Sequence, residues 1–375
     1  MALPGGGQLT ERSSMVAVSL EDNGADQSAV SMGASGSGGI SQYPGAPKVA
    51  KIVVKTVSGR RGQDPVKPPK KLAVFRCNWL CGLFGVRQFP PRGCWLVMDV
   101  CGVFCAIFTW LLLVFAEYVA CTVILANSES AVFNWIAGAI FHSLIGLSFW
   151  SHCKAMFSDP GAVPLGNATE ENIRSLGCGS EGADRIVYKC GKCSSIKPDR
   201  SHHCSVCRRC IRKMDHHCPW VNNCVGECNQ KYFVLFTLYI CAVSCFAIFM
   251  TVHHFVKCSD WDICRPTLTQ PLPIVLLVLL IFESIMFGLF TAIMFGDQIH
   301  SILKDQTGIE TLKRERHSWK RQSRMSLLEG VFGQPISWRW LSPFSPPSFT
   351  KSAPQRLCLY STRCDQRPLA GTIVK

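Results

Sequence analysis

The sequence predicts an α-helical polytopic membrane protein: four transmembrane helices, with a cytosolic cysteine-rich domain that binds two structural zinc ions. Three observations carry this. The runs Leu96–Leu125, Ala131–Trp150, Tyr232–Val256 and Leu272–Gly296 are apolar throughout, and each meets the roughly 20 residues needed to cross about 30 Å of hydrocarbon. Basic residues crowd alternate connections, although the chain is 48% hydrophobic and only 17% charged, with a net charge of +14. Eight of the 22 cysteines fall between Cys190 and Cys228, at metal-ligand spacing.

Each segment follows in order. Residues 1–47 are rich in Gly, Ser and Ala, too poor in large apolar side chains to offset the entropy of ordering, so a disordered tail is expected. They lack a charged-then-apolar-then-small pattern, so no cleaved signal peptide is expected. Residues 48–95 form a basic segment: from Lys48 to Arg92, eleven Lys and Arg stand against Asp64 alone. Residues 96–151 hold the first two membrane helices, 152–231 the cysteine-rich domain, 232–296 the last two helices, and 297–375 a C-terminal tail. The loop from His152 to Lys231 carries twelve Lys and Arg and the tail from Asp297 thirteen. The short links after the first and third helices carry none and two. Because Lys and Arg stay on the cytosolic side, both termini and the cysteine-rich domain are expected there. The basic charge then meets anionic lipid head groups or an anionic cofactor rather than nucleic acid. The sequon Asn167-Ala168-Thr169 falls on the side where glycosylation does not occur. In the tail, Ile299–Arg324 reads as an amphipathic helix near the membrane surface, and Pro335–Pro347 as irregular.

A cytosolic loop stays reduced, which favours metal over disulfides for the clustered cysteines. Their spacing repeats. Cys190-x2-Cys193-x9-His203-x6-Cys210 recurs fourteen residues on as Cys204-x2-Cys207-x9-His217-x6-Cys224. Each set gives three thiolates and one imidazole, the donors of a closed tetrahedral zinc site, and the sets interleave. Under the same shift Cys218 aligns with Cys204, but Val221 stands where a second cysteine is needed. Cys218 is left outside both sets. Beside it stand Asp215 and His216, which no zinc requires. In an extended segment His216 and Cys218 share a face while His217 turns the other way, and a local turn is needed for Asp215 to reach His216. A thiol beside an imidazole, itself oriented by a carboxylate, is the arrangement of an activated nucleophile. The alternative is a spare zinc ligand, with Asp215 supporting a ligand histidine. Cys228 is also left over but has no acid–base pair, and reads as incidental.

The run CGKCSSIKPDRSHHCSVCRRCIRKMDHHCPWVNNCVGECNQKYF, the four-helix layout and Asp159-Pro160-Gly161 resemble the DHHC family of protein S-acyltransferases. The likeness spans residues 90–345, and SHCKAMFSDPGAVPLGNAT resembles a branch of that family associated with the Golgi. The resemblance implies that Cys218 takes a long-chain acyl group, palmitoyl above all, from acyl-CoA. It then passes the group to cysteines of membrane-associated proteins, with Asp215 and His216 as activators. It implies a chain cavity lined by Phe233, Phe236 and Val243 with Trp220 beside the nucleophile, and Lys197, Arg200 and His202 as contacts for CoA phosphates. A homo-oligomer is compatible with the sequence. The tail departs from the family where Thr-Thr-x-Glu becomes Thr307-Gly308-Ile309-Glu310, and where the usual Asn before Val331-Phe332-Gly333 is absent. Glu283, in the fourth helix, is expected either to bond across the bundle to Asn134 or His142 or to be protonated, and Cys153 is a candidate for self-acylation. Two rival classes are a membrane-anchored zinc-domain ubiquitin ligase and a non-enzymatic scaffold or transporter. The first lacks its terminal Cys-Pro-x-Cys, since Trp220 and Val221 follow Pro219. The second has no evident permeation path.

Overall fold

The computed structural model describes residues 16–17, 52–57, 95–177, 185–257, 271–314 and 322–347. The expectations for the rest of the 1–47 tail, most of the basic segment, the link after the third helix and the last 25 residues lie outside them. Two compact units are present. The smaller holds a four-stranded sheet of β1 (Val16–Ala17), β2 (Ile52–Val57), β3 (Arg185–Cys190) and β4 (Ser195–Ile196). Strands β2 and β3 run parallel, while β3 and β4 form a tight hairpin. Val187 and Ile196 bury against Ala168 and Ile173, and Ser195 and Asn167 tie this hairpin to the chain before α3 (Glu170–Gly177) through Pro164 O and Ile196 N.

The larger unit holds four helices long and apolar enough to cross a membrane. These are α1 (Val100–Val119, running on as a π-helical segment to Leu125), α2 (Ala131–Phe157), α4 (Gln230–Lys257) and α5 (Pro271–Lys304). Side chains start two of them: Asp99 accepts from Gly102 N at 2.8 Å, and Ser130 from Phe133 N at 3.3 Å. One end of the bundle is filled by Ala116, Val119, Phe141, Val243, Met250, Leu277 and Leu280. At the other end, Phe233, Phe236 and Ile240 pack with Val221, Val225 and Cys218.

Helices α2 and α5 outrun their apolar segments, to Phe157 and Lys304 rather than Trp150 and Gly296. Hydropathy marks only the part of a helix that meets lipid. The polar extensions are held instead by protein: His152, Lys154 and Gln298 are all buried. The amphipathic helix expected over Ile299–Arg324 does not form as one piece. Its start belongs to α5, and Asp305 breaks the run at φ 50°. Thr307 and Glu310 then start α6 (Gly308–Leu312) with a reciprocal capping box, and α7 covers Arg324–Phe332. Among the described residues beyond α7, only a short turn at Trp338–Trp340 is regular, in keeping with the irregular stretch expected over Pro335–Pro347.

Candidate active site and metal sites

The fourteen-residue repeat is a repeat of hairpins. Strand β5 (Ser201–Cys204) pairs with β6 (Arg209–Arg212), and β7 (His216–Cys218) with β8 (Asn223–Val225). In the first, His203 lies opposite Cys210; in the second, His217 lies opposite Cys224. The x6 interval between His and Cys is therefore the length of a hairpin that returns the cysteine beside the histidine. Each Cys-x-x-Cys lies at a strand end and the turn after it, and Ser194 and Arg208, one residue past the second cysteine and fourteen apart, both turn left-handed at φ 50° and 51°.

Within the larger unit Cys204, Cys207, His217 and Cys224 place four donor atoms within 4.8 Å of one another. The separations are 3.7 Å and 3.5 Å from His217 Nδ1 to the sulfurs of Cys204 and Cys207, 3.5 Å to that of Cys224, and 3.4 Å between Cys207 and Cys224. Bond lengths of about 2.3 Å to sulfur and 2.0 Å to nitrogen give edges of this size in a tetrahedron, so the residues fit zinc. The thiols also perturb one another. Hydrogen bonds from Cys207 and Cys224 push Cys204 down, while bonds to Cys204 push Cys224 up and Cys207 up to about 12. A dication relieves that conflict by letting all three ionise. Of the other set, Cys190 and Cys193 are buried in the β3–β4 hairpin of the smaller unit, while His203 Nδ1 and Cys210 Sγ stand 4.0 Å apart in the larger. The chain thus carries two Cys/His sets whose donors suit a metal ion.

Cys218 belongs to neither. Strand alternation turns His217 towards the sulfurs and leaves His216 and Cys218 on the opposite face. The required turn is present: Lys213 adopts φ 40°, and Asp215 then reaches back so that His216 Nδ1 lies 2.7 Å from Asp215 Oδ2. Two residues to which the sequence reading gave no part in the site complete the carboxylate's surroundings. Gln298 Nε2, from the polar end of α5, donates to Oδ2 at 2.8 Å, and Gly308 N donates to Oδ1 at 2.6 Å. A Cβ at position 308 would stand 3.2 Å from Asp215 Oδ1, so the glycine that departs from the family pattern permits this close approach. Burial favours the protonated acid, but the bonds from His216, Gly308 and Gln298 hold Asp215 below its ordinary value. Burial likewise opposes the His216 cation. Hydrogen bonds and charge at Asp215 and Cys218 overcome it and raise the imidazole to about 9. The other ring nitrogen, Nε2, is buried, and with Nδ1 held by Asp215 it is the atom left to interact with the Cys218 thiol. The edge of the His216 ring meets the Phe233 ring, with centroids 5.2 Å apart.

The turn after Cys218 is pinned from three directions. His152 Nε2 is 2.9 Å from Trp220 O, and its Nδ1 accepts from Trp110 Nε1 at 3.0 Å, which assigns the proton to Nε2. Asn222 Nδ2 donates to Val97 O, and Asn223 Nδ2 reaches the carbonyls of Ala155, Met156 and Ser158. At Gly226 a Cβ would meet Pro160 O at 2.5 Å, which locks this segment against the Asp159-Pro160-Gly161 turn. His152 carried no signal in the sequence beyond marking the end of an apolar run.

From Cys218 an apolar cavity of about 770 Å³, counting its open mouth, runs between α1, α4 and α5, lined by Trp220, Phe233, Phe236, Ile240, Val243 and Phe287 among others. Trp220 and Val243 stand where the cavity reading needs them. Arg200 has a structural task. Its guanidinium bonds Glu310 at 2.7 and 2.9 Å, Asp305 Oδ1 at 2.6 Å and Asp305 O at 2.9 Å, so four of its five N–H donors fasten α6. His202 Nδ1 lies 3.0 Å from Lys313 Nζ, and Lys197 pairs its backbone N with Tyr188 O. Cys153 is fully buried, which removes it from reach of an acyl donor. Cys228 is pushed up to about 11 by burial and takes a bond from Arg212 at 3.4 Å, an inert neighbour as expected. Neither proposed partner reaches Glu283: His142 pairs with Glu117 at 2.5 Å, and Asn134 Nδ2 donates to Ser128 O.

The chain matches the DHHC palmitoyltransferase family over residues 186–315. It is 52% identical to palmitoyltransferase ZDHHC3 of Homo sapiens over 267 residues, 71% of this chain and 88% of that one. It is 48% identical to palmitoyltransferase ZDHHC7 of Mus musculus over 252 residues, 67% and 80% of the two chains. Palmitoyltransferase ZDHHC20 of Mus musculus is 32% identical over 212 residues, 48% and 55% of the two.

Proposed function

The chain belongs to the DHHC palmitoyltransferase family and is a protein S-acyltransferase, and from that premise we propose that Cys218 is its nucleophile, with His216 and Asp215 as its activating pair. The sulfur attacks the thioester carbonyl of a long-chain acyl-CoA, palmitoyl-CoA in the first place. A sulfur–carbon bond forms at Cys218, the bond to CoA breaks, and the His216 proton goes to the departing CoA sulfur. In the second half the thiol of an acceptor cysteine gives its proton to His216 and takes the acyl group, and Cys218 leaves as thiolate. Asp215 holds the imidazole proton on Nδ1 and stabilises the cation; Gln298 and Gly308 hold Asp215. The observation that carries this reading is that Cys218, at the mouth of an apolar cavity, lies outside both metal sets and beside an oriented imidazole.

Zinc is the metal proposed for both sets: Cys190, Cys193, His203 and Cys210 in one, Cys204, Cys207, His217 and Cys224 in the other. Its contribution is to brace the hairpins that present Cys218. The acyl chain occupies the cavity beside Trp220 and Val243, while Lys197 and His202 meet the CoA phosphates. The acceptors are membrane-associated proteins with cytosolic cysteines. The excess of Lys and Arg in alternate connections supports cytosolic termini, and the likeness to a Golgi-associated branch supports that membrane. Incubating the detergent-purified protein with labelled palmitoyl-CoA tests the chemistry. A hydroxylamine-sensitive adduct on the wild type, absent from Cys218→Ser, is expected; equal labelling of both overturns the assignment.

A further inference from the structure

The cavity that opens at Cys218 closes on a carboxyl group. Its lining residues on α5 run from Met294 to Glu283, those on α4 from Phe233 to Ala247, and those on α1 from Thr109 to Ala116. Past Ala116 and Ala247 the bundle is solid with Met250, Leu277 and Leu280. Glu283 therefore stands at the closed end, about 16 Å from the Met294 level at 1.5 Å per helical residue. An extended chain gains about 1.2 Å per bond, so about fourteen carbons reach that carboxyl.

Glu283 Oε2 is buried and has no hydrogen-bond partner among the described residues. The threonine hydroxyls of the lining are taken, Thr237 by Val234 O and Thr291 by Phe287 O. A carboxyl oxygen left unbonded in hydrocarbon is costly, and polar groups at such depth belong to function more often than to packing. A methyl-ended chain gives it nothing. We infer that the closed end of the cavity is a polar subsite in which Glu283 bonds a hydroxyl at or near the far end of the acyl chain. The enzyme then transfers ω-hydroxyacyl groups as well as plain ones. The inference rests on the reading of this cavity as the acyl-chain site of Cys218. The transfer itself is unchanged: the same thioester bond breaks and the same bond to Cys218 forms, while the ω-hydroxyl exchanges only a hydrogen bond.

Competition between acyl-CoAs for Cys218, read by intact-protein mass, tests it. In the unaltered protein 16-hydroxypalmitoyl-CoA is expected to label at least as well as heptadecanoyl-CoA, its isostere with a methyl in place of the hydroxyl. In Glu283→Leu the hydroxylated chain should fall about 10- to 100-fold behind the isostere, the usual reach of a pocket that can offer a hydroxyl no partner. Glu283→Gln, which keeps a hydrogen-bonding end, should preserve the wild-type ratio within a few-fold. A wild-type preference for heptadecanoyl of tenfold or more overturns the subsite, and that arm needs no variant to fold. An unchanged ratio in Glu283→Leu overturns it too. Absence of any label on Cys218 from palmitoyl-CoA marks instead the failure of the acyltransferase assignment, so the two failures are distinct.

Discussion

Replacing Asp215 by Asn keeps the shape of the side chain and removes the feature on which the reaction depends. The carboxylate receives three donors: His216 Nδ1 and Gln298 Nε2 on Oδ2, and Gly308 N on Oδ1. A carboxylate accepts all three, whereas an amide has one accepting oxygen and one donating nitrogen. The backbone N–H of Gly308 cannot change role, so the amide oxygen must face it. The amide nitrogen then faces His216, whose Nδ1 must turn acceptor and send the ring proton to Nε2, the nitrogen needed for the thiol. The bond and charge through which Asp215 helps raise His216 to about 9 are lost as well, which leaves only the contribution of Cys218 itself, so the cation beside the sulfur is less favoured. The wrong tautomer in a serine-protease triad costs about 10⁴ in kcat, and general-base catalysis alone about 10²–10⁴. Asp215→Asn should therefore slow acyl-enzyme formation by at least about 10²-fold at pH 7, with the remaining rate climbing towards alkaline pH. The assay is single-turnover labelling by palmitoyl-CoA, beside metal content and Tm to confirm folding. A folded variant within threefold of wild type across pH 6–9 refutes the activating role of Asp215.

Three further outcomes are expected. His203→Ala should lose one metal equivalent and lower Tm, whereas a strong thiol-reactive chelator should strip both metals and unfold the module, as measured by metal analysis and near-UV dichroism; full metal content in His203→Ala would remove His203 from the set. Arg200→Ala leaves the fully buried Glu310 carboxylate without its cation, and breaking a buried pair costs about 3–5 kcal/mol; the tail after Lys304 should become protease-sensitive, and a change confined to the KM for acyl-CoA would instead restore Arg200 as a phosphate contact. His216 is raised in the folded protein to about 9 from an ordinary 6.5, so the stability it contributes is complete below pH 6.5 and is lost as pH rises through about 9; the Tm gap between wild type and His216→Ala should shrink over that window, and a gap constant to pH 10 would contradict the pairing.

What was legible in the sequence follows from how locally each feature is encoded. The metal sets could be read because a hairpin returns its ligand at a fixed interval, so cross-strand pairs such as His203 with Cys210 leave the x6 spacing in the chain. The same interval isolates Cys218. Gln298, Gly308 and His152 were not legible, because each acts on the site from a distant segment through one hydrogen bond, and a lone polar residue near a helix end carries no periodic signal. The structural bond of Arg200 was illegible for the same reason: a basic loop residue looks alike whether its partner is a phosphate or the buried Glu310. Glu283 was correctly singled out as costly but given the wrong neighbours, since Glu117 had already claimed His142. The lengths of α2 and α5 were undershot where burial by protein takes over from lipid.

The central claim is that the row His216, His217, Cys218 divides between chemistry and metal. Native mass spectrometry after one turnover with palmitoyl-CoA tests all three positions in one readout. Wild type should carry two zinc ions and one acyl group; Cys218→Ser two zinc ions and no acyl group; His216→Ala two zinc ions and little acyl group; His217→Ala only one zinc. A Cys218→Ser protein that has lost a zinc, or that still carries the acyl group, would contradict the account.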